Sequence, residues 1–226
     1  MKISTKKNDA DIKKDVWSEL EYEPSVNPAD INVWEDGMVT LTGYASSYIE
    51  KVNAVRAAKR VSGVAAITDE IKVRLPPSQR FTDGELAAAA EKQIKCSALI
   101  PSGQVELTVY EGWIKLEAEV EWWYHKGAAE NVVNHLAGVK GVTNLIRVIP
   151  KLPRTGLATA VNSAIERNGL LDASKIHVEV SGSEVILRGE VRNHVEWEEA
   201  ERTAWAAPGV SSVDNQLEVA WWEYVK

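Results

Sequence analysis

One pattern is written three times along this chain, and it constrains the fold more than any single residue does. Gly43-Tyr44 leads to Val61-Ser62-Gly63-Val64, Ala118-Glu119 to Leu136-Ala137-Gly138-Val139, and Gly189-Glu190 to Ala207-Pro208-Gly209-Val210. The small residue and the later glycine lie 20 positions apart in every copy (43 to 63, 118 to 138, 189 to 209). Successive copies are offset by 75 residues (43 to 118) and 71 residues (118 to 189). A fixed internal period redefines the unit that folds, here about a third of the chain.

Each copy opens on helical periodicity. Ile12, Val16 and Leu20 fall at i, i+4, i+8, as do Leu86, Ala90 and Ile94, and then Leu157, Val161 and Ile165. That spacing holds one apolar stripe inward on a 3.6-residue period. Asp11, Asp83 and Thr155 are the expected N-caps. Alternation follows. Ile31 and Val33 pass through Glu35-Asp36-Gly37 to Val39 and Leu41; Val105, Leu107 and Val109 pass through Glu111-Gly112 to Ile114 and Leu116; Ile176, Val178 and Val180 pass through Gly182-Ser183 to Val185 and Leu187. Period-two apolarity around a short glycine-containing turn predicts a hairpin.

A second helix follows, with inward positions Ala54, Ala57, Ala58 and Val61, then Ala129, Val132, Val133 and Leu136, then Ala200, Thr203, Ala204 and Ala207. Gly63, Gly138 and Gly209 sit just past its end, where a left-handed residue stops a helix. A last strand carries Ile71 and Val73, Ile146 and Val148, and Leu217 and Val219. Gly43 and Gly189 end the second strand where a missing side chain permits close backbone approach; Ala118 departs from this but stays small.

The chain therefore reads as α+β, three tandem αββαβ repeats, each a three-stranded mixed sheet with two helices on one face. The copies span 9–75, 83–150 and 156–220, with an N-terminal tail at 1–8 and an aromatic C-terminal tail at 221–226. Pro76-Pro77-Ser78-Gln79 and Pro150-Lys151-Leu152-Pro153-Arg154 are short, stiff linkers. Units of about 65 residues are marginal alone, so the copies are expected to dock on each other.

Nucleic acid is excluded as a bulk partner by the net charge of −7, because such binding rests on phosphate neutralisation by Lys and Arg. The same sign works against long-range attraction to anionic lipid. No run approaches the roughly 18 apolar residues that span a bilayer. Met1-Lys2-Ile3-Ser4-Thr5-Lys6-Lys7 has no apolar stretch behind it, so a cytoplasmic location is expected, or a periplasmic one if a leader was removed. Cys96, the single cysteine, excludes an intrachain disulfide and is expected to be a small buried apolar residue.

The strand segments Val39-Thr40-Leu41-Thr42-Gly43 and Val185-Ile186-Leu187-Arg188-Gly189 carry a family likeness. So does the Gly-Val pair followed nine residues later by a strand valine (Val64 to Val73, Val139 to Val148, Val210 to Val219). With these motifs in three tandem copies, the chain resembles the BON domain family of bacterial osmotically inducible, lipoprotein and potassium-binding proteins. The resemblance implies binding rather than catalysis: phospholipid or membrane-surface association, monovalent-cation binding in one branch, and roles in envelope or osmotic-stress protection.

No catalytic residues are expected. Triads, phosphate loops and metal-binding helices are missing, and no cofactor motif is present. His125, His135, His177 and His194 recur at no ligand spacing, so no metal site is expected; His177 falls on an outward strand position, and most of the histidines read as ordinary surface residues. Gly138-Val139-Lys140-Gly141 looks like a Gly-x-x-Gly loop but occupies the helix-stop position.

The tryptophans, nine beside a single Phe, are the sharper candidates. Trp122-Trp123-Tyr124 begins the second helix of the middle copy, where the others have Ser47-Tyr48-Ile49 and Asn193-His194-Val195. Three adjacent aromatics cannot all face one core on a helix. Trp205 replaces Lys59 and Asn134 opposite the inward stripe, Trp17 replaces Glu91 and Asn162, and Trp221-Trp222 extends the last strand. Two readings stand. The rings fill interfaces between copies or between chains, as a self-associating protein-interaction scaffold would, or they form a patch at a lipid headgroup boundary. The interface reading is favoured, because no basic rim surrounds most of them.

Overall fold

The computed structural model describes residues 9–35, 38–101, 103–151 and 156–219. The tails, with Trp221 and Trp222, the turn residues Asp36 and Gly37, and Thr155 lie outside the described residues.

The first copy runs α1 (Asp9–Tyr22), β1 (Ile31–Glu35), β2 (Val39–Ala45), α2 (Tyr48–Lys59) and β3 (Ile67–Val73). The second runs α3 (Asp83–Cys96), β4 (Glu106–Tyr110), β5 (Trp113–Glu117), β6 (Glu119–Val120), α4 (Trp123–Asn134), β7 (Gly141–Asn144) and β8 (Arg147–Val148). The third runs α5 (Leu157–Arg167), β9 (Ile176–Ser181), β10 (Glu184–Val191), α6 (His194–Trp205) and β11 (Ser212–Val219). In each copy the second strand is central, antiparallel to the first and parallel to the last. This is the αββαβ unit expected from the periodicities.

Each copy has its own core. The stripes Ile12/Val16/Leu20, Leu86/Ala90/Ile94 and Leu157/Val161/Ile165 are all buried, and each meets the small residues of the second helix across one sheet face. Burying a Val, Leu or Ile side chain contributes about 1.5–3 kcal/mol, and these cores are the main favourable term set against the entropy of ordering each copy. At the middle hairpin, Glu111 and Gly112 have φ of 49° and 83° between the paired Tyr110 and Trp113. Two successive positive φ values make the type I′ turn that matches strand twist.

Three local expectations need correction. Asp11 lies inside α1, which includes Asp9 and Ala10 ahead of it. Thr82, not Asp83, caps α3, in a capping box with Glu85. Cys96 is exposed: it ends α3 two residues after Ile94, which takes the inward position, and a 100° step per residue turns Cys96 outward.

The middle copy departs from its neighbours at one point. Gly43 and Gly189 adopt φ of 125° and 123°. A Cβ on either would collide with the carbonyl oxygen of Asp30 or Lys175. These carbonyls end the 3-10 turns Pro28–Asp30 and Ala173–Lys175, which press against the central strand. Ala118 cannot adopt that backbone readily. There the strand splits into β5 and β6, and among the described residues no 3-10 turn lies between α3 and β4.

The copies dock head to tail. The first residues of α2, α4 and α6 are Tyr48, Trp123 and His194, which occupy one repeat position. Tyr48 packs against the core of the second copy. Trp123 stacks on Trp205 of the third, with ring centroids 6.3 Å apart and planes at 16°. His194 lies beside Lys59 and the Ala65 backbone of the first copy. An ion pair from Lys59 Nζ to Glu198 Oε1 at 2.7 Å spans the same junction. One type of contact, used from first to second, second to third and third to first, closes a pseudo-threefold ring.

Candidate functional site

The second-helix starts show what each sequence does locally. In the first and third copies Ser47 and Asn193 accept hydrogen bonds from the backbone N–H of Glu50 and Glu196. Both glutamates are buried, at 6% exposure, and this is tolerable because their oxygens are saturated. Glu50 accepts from the backbone N–H groups of Asn27 and Ser46 and from the Ser46 hydroxyl. Glu196 accepts from the Arg192 backbone N–H at 2.9 Å and pairs with its guanidinium. The middle copy has Trp122 and His125 at these positions. Trp122 provides no side-chain cap, and His125 Nδ1 is buried without a hydrogen-bond partner. Burial lowers the His125 pKa, against an opposing pull from Glu121.

The ring junctions are electrostatically unlike one another. Burial raises the Tyr48 pKa, opposed by the Val142 backbone. At the Trp123–Trp205 junction, burial raises the Glu201 pKa while Trp205 and Asn215 oppose it. At the junction that closes the ring, both ring nitrogens of His194 are buried without a hydrogen-bond partner. Burial lowers its pKa, and Lys59 lowers it further. His125 and His194 are therefore not ordinary surface residues, whereas His177 and His135 are exposed as expected.

The tryptophan candidates are dispersed. Trp17 lies on α1 and donates to Glu21 at 3.2 Å. Trp122 is half-buried at the α4 cap. Trp123 and Trp205 form a junction, with Trp205 packed against both the second and the third core. Tyr124 is exposed and meets the His125 ring edge-on at 4.2 Å. Gly63, Gly138 and Gly209 all have positive φ at their helix ends.

The residues that do gather at one place are others. Tyr110 and Trp113, paired across the type I′ turn, are 70% and 53% exposed. The Trp113 ring lies over Gly141, so close that a side chain there would strike it. Beside this tip opens a cleft of about 750 Å³ between the first copy, the linker and the second copy. Phe81, from the linker, packs on Gly138, where an added Cβ would lie 2.8 Å from its ring. Arg74, Arg80 and Lys140 line the cleft, and none has an ion-pair partner among the described residues. Sequence reasoning missed this set. The signal available was an aromatic on either side of a two-residue turn, Tyr110-Glu111-Gly112-Trp113; the cations come from separate segments that only the fold unites.

Among the described residues no cluster of His, Cys, Asp and Glu can hold a metal ion. No helix there is long and apolar enough to cross a membrane.

The model of the BON domain family matches residues 8–74, 82–150 and 154–220. The chain belongs to the BON domain family. Part of the chain is similar to Osmotically-inducible protein Y of Escherichia coli (strain K12), at 29% identity over 148 residues, 63% of this chain and 74% of that protein. Two solved structures of CdsD, a structural protein of the Type III secretion system of Chlamydia trachomatis, align at 14% and 13% identity. They cover 92% and 93% of this chain and 91% and 98% of theirs, but the TM-score of 0.25 is too low to speak for a shared arrangement. The BON pattern in this chain consists of the buried stripes, the strand glycines and the stop glycines. The tip aromatics Tyr110 and Trp113 and the cleft residues Arg74 and Lys140 lie outside that pattern, at positions where the three BON copies differ.

Proposed function

We propose that this protein is a non-enzymatic, osmotic-stress-related protein that associates with phospholipid surfaces through the tip of its middle BON copy. The observation that carries the reading is the exposed Tyr110–Trp113 pair standing beside Phe81 and three cations that make no ion pair among the described residues. Amphipathic rings next to cations are the combination that seats a protein at a headgroup boundary. Likeness to an osmotically inducible protein supports the stress context. The net charge of −7 makes contact local, so that only this cationic end approaches an anionic surface.

Vesicle flotation tests the reading. The full chain is expected to float with phosphatidylglycerol–phosphatidylcholine vesicles at low salt and to be released by high salt. Absence of flotation with both anionic and pure phosphatidylcholine vesicles at low salt would remove it.

A further inference from the structure

We propose that the cleft between the first and second BON copies is a binding site for a phosphate-bearing small molecule, held by Arg74, Arg80 and Lys140. In its lipid form, where the phosphate is that of a headgroup, the proposal rests on the membrane-surface reading; for a soluble phosphate ester it stands apart from it.

The walls are built rather than incidental. The Arg74 guanidinium lies 3.8 Å above the centroid of the Tyr44 ring, which fixes its plane. Arg80 Nε donates to the Leu75 carbonyl at 3.4 Å, which holds its stem at the linker. Lys140 packs its side chain over Gly112, and its backbone N–H donates to the Gly112 carbonyl at 2.9 Å. Three cations are thereby brought to one opening by three separate segments. Elsewhere cations such as Lys51, Arg60, Arg147, Arg188 and Arg202 are matched by carboxylates.

Two carboxylates line the same cleft, and they differ. Asp83 is committed: its oxygens accept from the backbone N–H groups of Glu111 and Gly112 at 2.8 and 2.9 Å, pinning the turn. Glu111 stands exposed at the turn and opposes an anion. The volume, about 750 Å³, falls within the range for small-molecule sites. Two guanidiniums and an ammonium favour a phosphate, with its three acceptor oxygens, over a single carboxylate. Phe81 offers an apolar wall for the rest of an organic phosphate.

Two of the three cations belong to this junction alone, whereas Arg80 aligns with the basic Lys151 ahead of the third copy. Arg74 corresponds to Ile149 and Ala220 in the other copies, and Lys140 to Ala65 and Ser211. A scaffold role would not require charge at those positions, since the other two copies fold without it.

The test is an amide NMR titration of the full chain with glycerol 3-phosphate and with inorganic phosphate, against sodium chloride at equal ionic strength, paired with flotation on phosphatidylglycerol–phosphatidylcholine vesicles. The Gly112, Gly138 and Lys140 resonances are expected to shift saturably with glycerol 3-phosphate at up to ~10 mM and not with chloride. Lys140→Gln, at an exposed position, should weaken binding roughly tenfold, as should Arg80→Gln, while Glu111→Gln should strengthen it. Unmoved amides, or shifts that persist in the Arg80→Gln/Lys140→Gln protein with its dispersed spectrum intact, would overturn the proposal. Flotation with unmoved amides defeats the cleft and leaves the membrane reading. Saturable shifts without flotation uphold the cleft for a soluble ester and defeat the membrane reading.

Discussion

The outer BON copies and the middle one solve the same folding problem differently. In the outer copies a buried, fully bonded glutamate locks the start of the second helix. A strand glycine accepts the carbonyl of a 3-10 turn. The middle copy has neither device: its cap is Trp122, its third helical residue is His125, and its strand splits at Ala118. It carries instead the exposed aromatic tip and one wall of the cleft. Local scaffold bonds and surface chemistry are thus divided between copies, and the ring is what allows the middle copy to be the less tightly locked one.

The strongest way to break this comparison is at the strand glycines. Gly43→Ala and Gly189→Ala force a side chain into a backbone carbonyl at positive φ, and each is expected to lower stability by about 3 kcal/mol or more in urea unfolding. Ala118→Gly, at the same repeat position, should change it by less than about 1 kcal/mol. Equal effects at all three sites would erase the distinction.

Next come the helix starts. Glu50→Ala and Glu196→Ala strand buried donors and should cost about 2–3 kcal/mol. Conversely, Trp122→Ser with His125→Glu recreates a capping box and should stabilise α4 by about 1 kcal/mol, seen as slower amide exchange in that helix. At the junctions, a double-mutant cycle on Trp123→Ala and Trp205→Ala should yield a coupling of about 1 kcal/mol, and the partly exposed Lys59–Glu198 pair less than that.

The ring-closing junction sharpens the comparison through pH. Half-buried His194 has a folded-state pKa below the ordinary 6.5 and lies beside Lys59. The unfolded chain therefore binds the proton more readily, so stability is full above pH 6.5 and declines as pH falls from there to the lowered folded value. His125, also lowered by burial, adds in the same direction. Lys59 and Glu198 also face His194 at this junction, and at the neighbouring Trp123–Trp205 junction burial raises the Glu201 pKa, which works in the opposite direction. His194→Gln should flatten the decline between pH 8 and 5, measured as urea midpoints; an unchanged slope would show that this residue does not carry it.

What was legible in the sequence was what recurs. The inward stripes, the turn glycines and the stop glycines keep their chemistry from copy to copy, so their period exposes both the elements and the cores. The ring was not legible, although its three contact residues share one position. Tyr48, Trp123 and His194 have no common chemistry, and each meets a different partner. Trp113 and Tyr110 were not singled out, although aromatics on either side of a two-residue turn are a local signal. Arg74, Arg80 and Lys140 come from a strand end, a linker and a helix exit, and only folding makes them neighbours.

In this molecule the recurring residues hold the scaffold, and we propose that the middle tip meets the surface. Trp113→Ser tests both halves at once, by urea unfolding and by flotation on phosphatidylglycerol-containing vesicles. The account predicts a stability change within about 1 kcal/mol, because the ring is half exposed, together with a loss of flotation of roughly tenfold or more. Flotation equal to that of the wild type would contradict it.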